Sequence, residues 1–135
     1  MTALYHAHSG LRYLVLVAGF VSILVFAFGL ATKRPLPASR GIMTAFTGLL
    51  DLQILLGIAL IVAGIWYGAL MGHVTMMILA AVAAHGAGIA AKKAPDERRA
   101  LGMRLGGVVA ALVLIALGVM AIGRSLFGSG APTIG

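Results

Sequence analysis

Four apolar runs, each long enough to cross a bilayer, alternate with short polar stretches, and this leaves the chain few ways to fold. The runs cover about 5–31, 42–68, 72–91 and 101–122, each near the ~20 residues that span a hydrocarbon core as helix. Apolar residues make up 61% of the chain and charged residues 10%, too little polar surface to clad a soluble domain. A length of 135 residues has room for a single domain, 1–135. Short connections make successive spans antiparallel neighbours, so the expected fold is all-α, an integral membrane antiparallel four-helix bundle.

The charges set the orientation. The net charge is +7, and eight of the ten Lys and Arg residues fall in two stretches: Lys33, Arg34 and Arg40, then Lys92, Lys93, Arg98, Arg99 and Arg104. Cations clustered between alternate spans mark cytoplasmic loops, not a nucleic-acid surface. Pro35 and Pro37 end span 1 in the first of these loops. Positive charge after span 1, where a cleaved leader would carry it before, predicts an uncleaved first span with its start outside. An even number of spans then puts both termini outside, in the periplasm if the membrane is a bacterial inner membrane. Trp66 and Tyr67 suit the outer interface at the end of span 2. Gly64, Gly68 and Gly72, and separately Ala84 with Gly88, are small-residue patterns that permit close helix approach. The tail, 125–135, is rich in Gly and Ser and is expected to be flexible.

Polar side chains inside spans are costly, and each raises a question of function. His8 and His73 sit near the outer ends of spans 1 and 3, with Arg12 one turn below His8 and Arg124 at the outer end of span 4. His85 lies twelve residues beyond His73, ~18 Å deeper at the rise of a helix. Asp51 and Gln53 fall at a similar inner depth on span 2. Two polar layers are therefore predicted, His8 with His73 outside and a buried Asp51, His85 and Gln53 group inside.

For the outer layer the sharp reading is haem b, with His8 and His73 as axial iron ligands, Gly10 and Gly72 giving room, and Arg12 or Arg124 at a propionate. The bland reading is interfacial histidines bonded to water, headgroups or backbone. His6 faces away from His8 and is expected to be solvated. In the inner layer an Asp51–His85 pair could serve a proton relay or a quinone site; a structural bond locking span 2 to span 3 is favoured. Met71, Met76 and Met77 read as packing. The run from Asp96 to Arg99 reads as a solvated turn with nothing catalytic. The chain has no cysteine, so thiolate metal sites are excluded. No phosphate loop, nucleophile motif or metalloprotease motif occurs.

The chain resembles a family of small bacterial four-span proteins often labelled cytochrome b-like. The likeness rests on His8-Ser9-Gly10-Leu11-Arg12-Tyr13, on Asp51, Gln53 and Gly57, and on His73, Met76, Met77, Ala84, His85 and Gly88. It covers spans 1 to 3, and Tyr13 stands where the family favours tryptophan. The resemblance implies a small inner-membrane b-type cytochrome; a chain this small, with short loops, is better suited to be an electron-transfer or accessory subunit of a respiratory or photosynthetic complex than an independent enzyme. The alternative is a haem-free accessory subunit that packs against other membrane-protein subunits. No pattern of residues singles out a quinone.

Overall fold

A computed structural model of the chain describes residues 2–32, 39–64, 68 and 70–121. Among them, four helices follow one another: α1 (Thr2–Thr32), α2 (Ser39–Val62), α3 (Leu70–Lys92) and α4 (Glu97–Ala121). All four are long and apolar enough to cross a membrane, and together they form a helical bundle of the multi-pass kind. α1 and α3 match the expected spans to within a turn. α4 starts a turn early because Asp96 caps it, its Oδ1 accepting the Arg99 N–H at 2.8 Å. α2 stops well short of residue 68, where Gly64 takes φ +105° and its N–H reaches the Ile61 carbonyl at 3.0 Å. Only glycine adopts that conformation without strain. Gly64 and Gly68 thus lie in a turn and form no helical stripe with Gly72. Trp66, Tyr67, Arg124 and the tail lie outside the described residues.

The bundle is apolar on its outside as well as within. Val17, Phe20, Phe28, Leu55, Val82 and Val113 are each more than half exposed, as a lipid-facing surface requires. Inside, Phe26, Phe46 and Leu50 fill the wide parts of the core, while Ala80, Ala84 and Ala111 fill the narrow ones. α3 and α4 are the most intimately packed pair, and α2 and α3 the least of the four neighbouring pairs. The closeness of α3 and α4 has a local cause. A Cβ at Gly107 would collide with the Ala87 Cβ, whereas a Cβ at Gly106 would meet nothing within 4 Å. Hydroxyls on the helices mostly bond their own backbone: Ser22 to the Ala18 carbonyl at 2.6 Å, Thr75 to the Met71 carbonyl at 2.9 Å. This leaves no hydroxyl donor unpaired toward lipid at those sites.

At the end of the bundle away from the N-terminus, Arg104 is no loop cation. It is 2% exposed, and its Nη1 donates to Ser39 Oγ at 3.0 Å and to Glu97 Oε1 at 3.2 Å. α4 is thereby tied to the start of α2, through a charge that is both buried and paired.

Adjacent glycines on one helix give a clean test of the close α3–α4 approach. Gly107→Ala is expected to lower stability by about 1–3 kcal/mol through overpacking, while Gly106→Ala is neutral or slightly stabilising. Thermal unfolding of both variants in detergent micelles checks this, and equal effects would contradict it.

Candidate functional site

The half of the bundle that carries the N-terminus encloses a cavity of about 170 Å³. Its polar lining is His8, Ser9 and Arg12 from α1, Gln53 from α2 and His73 from α3. Its apolar wall includes Ile54, Ile58, Ile61, Val74 and Ile78 from α2 and α3, with Ile115 and Val119 from α4. Ile58 and Ile78 are 51% and 54% exposed. The cavity therefore opens sideways between α2 and α3, the most loosely packed of the neighbouring helix pairs.

Each histidine in it is anchored in the same way. His8 Nδ1 lies 3.1 Å from the Gln53 backbone oxygen, and His73 Nδ1 lies 3.0 Å from the Gly118 backbone oxygen. A carbonyl only accepts, so both imidazoles carry their proton on Nδ1, and in the neutral ring Nε2 is the lone-pair nitrogen. Hydrogen bonding of one ring nitrogen to backbone is how proteins orient the other toward a metal. Glycine makes room for each ring. A Cβ on Gly57 would sit 3.2 Å from His8 Cε1, and one on Gly118 would sit 3.5 Å from His73 Nδ1 and 2.6 Å from Met77 Cε.

α1 and α2 are held together by a reciprocal bond. While His8 donates to the Gln53 backbone, Gln53 Nε2 donates to the His8 carbonyl at 2.8 Å. That orientation turns Gln53 Oε1 the other way, and it is buried without a hydrogen-bond partner among the described residues, as is Ser9 Oγ. Arg12 is 7% exposed; its Nη2 donates to Tyr13 Oη at 3.0 Å, and its guanidinium lies 4.8 Å from the Tyr13 ring centroid.

Several sequence expectations need correction here. Gln53 belongs with His8 and not with Asp51 and His85, because two residues along a helix turn the side chain to the opposite face. Asp51 and His85 do meet, with Nε2 2.8 Å from Oδ1 and 2.9 Å from Oδ2. They are not buried, however: both side chains are 47% exposed on the outside of the α2–α3 seam. Gly10 is exposed and clears no space for a ring. That role falls to Gly57 and to Gly118, which sequence reading missed. His8 also sits deeper than expected, because α1 begins at Thr2. His6 is exposed, edge-on to Tyr5 at 5.7 Å. Met77 packs on Gly118 and Met71 faces outward. Arg124 lies outside the described residues.

Compared with protein-family models, curated proteins and solved structures, the chain matches none.

The reciprocal bond predicts the cost of losing Gln53. Gln53→Leu removes the interhelical bond to the His8 carbonyl, which keeps only the N–H of its own helix, and should destabilise the protein by about 0.5–1.5 kcal/mol. Gln53→Glu, able to keep the bond only when protonated, should fall between Leu and the native residue. Chemical denaturation in micelles gives the order, and a neutral Gln53→Leu would contradict the bond's importance.

Proposed function

We propose that the chain is a small b-type cytochrome-like subunit of a bacterial inner membrane, serving electron transfer within a larger respiratory or photosynthetic assembly. The observation that carries this reading is the pair of histidines from different helices lining one cavity. Each has its Nδ1 spent on a facing backbone carbonyl. The donor set also suits the cofactor. Among the described residues, no cluster of three or more His, Asp or Glu gathers to hold a bare ion. Two imidazoles suffice only for a metal that brings its own equatorial ligands, as haem iron does.

In this reading His8 and His73 would hold the haem iron and Arg12 would offer a cation to a propionate, with Arg124 a candidate for the same task. Haem b supplies reversible one-electron chemistry when bound. Gly57 and Gly118 let the two rings lie against α2 and α4, and the Gln53 and Gly118 carbonyls hold the ring tautomers. The apolar wall keeps water from the site, which with the axial ligands tunes the potential. An enclosed volume of about 170 Å³ is below the ~300–1,000 Å³ of sites for drug-sized molecules. A macrocycle would therefore need the side opening as well.

A second reading is favoured by Gln53 Oε1 and Ser9 Oγ, buried beside the cavity without partners among the described residues. A buried acceptor calls for a donor, and an apolar molecule bearing a hydroxyl, such as a quinol, supplies one. A haem-free accessory subunit holding such a molecule is the corresponding alternative function.

A reduced-minus-oxidised spectrum of the purified protein separates these readings. The cytochrome reading expects a low-spin b-type spectrum, abolished by His8→Ala or His73→Ala and nearly unchanged by His6→Ala. No haem spectrum, or a normal one in His73→Ala, would overturn the assignment. Orientation has its own test. Accessibility labels at Pro37 and Pro95 should report the cytoplasm, and those at Thr2 and Ser129 the periplasm, the reverse result contradicting it.

A further inference from the structure

The Asp51–His85 pair sits where an isolated bundle should not place it. Asp51 is near the middle of α2 and His85 is in the second half of α3, yet half of each side chain is open to the outside of the bundle. The surface around them is made for hydrocarbon: Leu52, Leu55, Val82 and Ile89 are all strongly exposed. Ionisable groups at such depth normally face a bundle interior or a partner, because lipid offers them nothing in return for lost hydration. The pair is also incompletely used. Both oxygens of Asp51 meet the same nitrogen, Nε2, and among the described residues His85 Nδ1 makes no hydrogen bond. Beside the pair the surface is smooth. Gly48, one turn before Asp51, and Gly86, next to His85, are exposed, and a Cβ on either would meet no atom within 4 Å.

We propose that this seam is the interface of a homodimer in the membrane, with the Asp51–His85 pairs of two copies facing each other across a two-fold axis normal to the bilayer. Charge complementarity and depth select a second copy as the occupant. Rotation about the membrane normal keeps every residue at its depth and sets α2 of one copy against α3 of the other. Asp51 and His85 bond within one chain, so they share a depth, and the rotation brings Asp51 of one copy opposite His85 of the other. A surface that carries a carboxylate and, when His85 is protonated, an imidazolium side by side at one level is thus complementary to its own rotated image. In the dimer, the second ring nitrogen of each His85 donates to the Asp51 carboxylate of the other copy. Two anions and two doubly protonated imidazoles then close into a neutral ring with every N–H donor used. Gly48 and Gly86 let the backbones approach closely enough for it. The side opening of the cavity lies on the same seam, between Ile58 and Ile78, about two turns toward the N-terminal end.

The chain has no cysteine, which makes disulfide trapping direct. Two differently tagged copies of the full chain, one Leu55→Cys and the other Val82→Cys, are co-expressed and oxidised in native membranes. α2 and α3 are antiparallel, so four residues after Asp51 on α2 lies level with about four residues before His85 on α3. The expected result is a disulfide-linked dimer carrying both tags, while Val17→Cys, on the exposed face of α1, gives none. In an Asp51→Leu/His85→Leu background the yield should drop at least tenfold. In the exchanged Asp51→His/His85→Asp background, which keeps the ring and controls for folding, it should recover. Absence of the mixed dimer from the native pair background overturns the proposal. So does a yield that is unchanged in the double-leucine protein.

Discussion

An imidazole that donates Nδ1–H into the backbone of a facing helix joins two helices and fixes its own tautomer at once, and this protein uses the device twice. His8 on α1 bonds the backbone of α2 at Gln53, and His73 on α3 bonds the backbone of α4 at Gly118. A helix carbonyl already accepts from its own helix, so the approaching ring must come to its second lone pair from the side. Such an approach is open only where the facing helix is thin, which is why glycine stands at 57 and 118. The rest of the site follows from these two anchors. The rings, held against α2 and α4, border a space near the bundle axis that the surrounding apolar side chains do not fill.

The packing of the bundle is correspondingly uneven. Ala80, Ala84, Ala87 and Gly107 draw α3 and α4 together, and the buried Arg104 fastens α4 to the start of α2. Among the described residues nothing comparable draws α2 to α3. Their closest polar link is the Asp51–His85 bond on the outer surface, and nearer the N-terminal end they part to leave the side opening between Ile58 and Ile78. One seam of the bundle is thus both the way into the cavity and the place where ionisable groups meet the outside.

Depth along a helix is legible in a sequence, and facing direction across a bundle much less so. Four spans, their order and their antiparallel packing follow from apolar length and short connections, and the four helices agree. Counting rise per residue brought Asp51 level with His85, and the two side chains meet. The same counting grouped Gln53 with Asp51, although the 200° between residues two apart sends Gln53 inward to His8. Arg104 shows the complementary difficulty. Among neighbouring cations its charge reads as solvated, and only the packed bundle reveals Ser39 and Glu97 waiting for it. Gly118 carries no chemistry of its own and became visible only as the surface on which the His73 ring rests. The run from Asp96 to Arg99 reads in the sequence as a turn with helix-entry charges, and the Asp96 cap bears out the entry while setting it a turn before the apolar run.

The tautomer of the two cavity histidines can be read directly, whatever the cofactor. Ring-nitrogen ¹⁵N spectra of histidine-labelled, ligand-free protein in lipid bilayers, assigned by His8→Ala and His73→Ala, report which nitrogen carries the proton. Both rings should be protonated at Nδ1, with Nε2 the unprotonated nitrogen. A ring protonated at Nε2 alone, at either position, would show that the bond to the facing carbonyl is absent and that the site is not built on it.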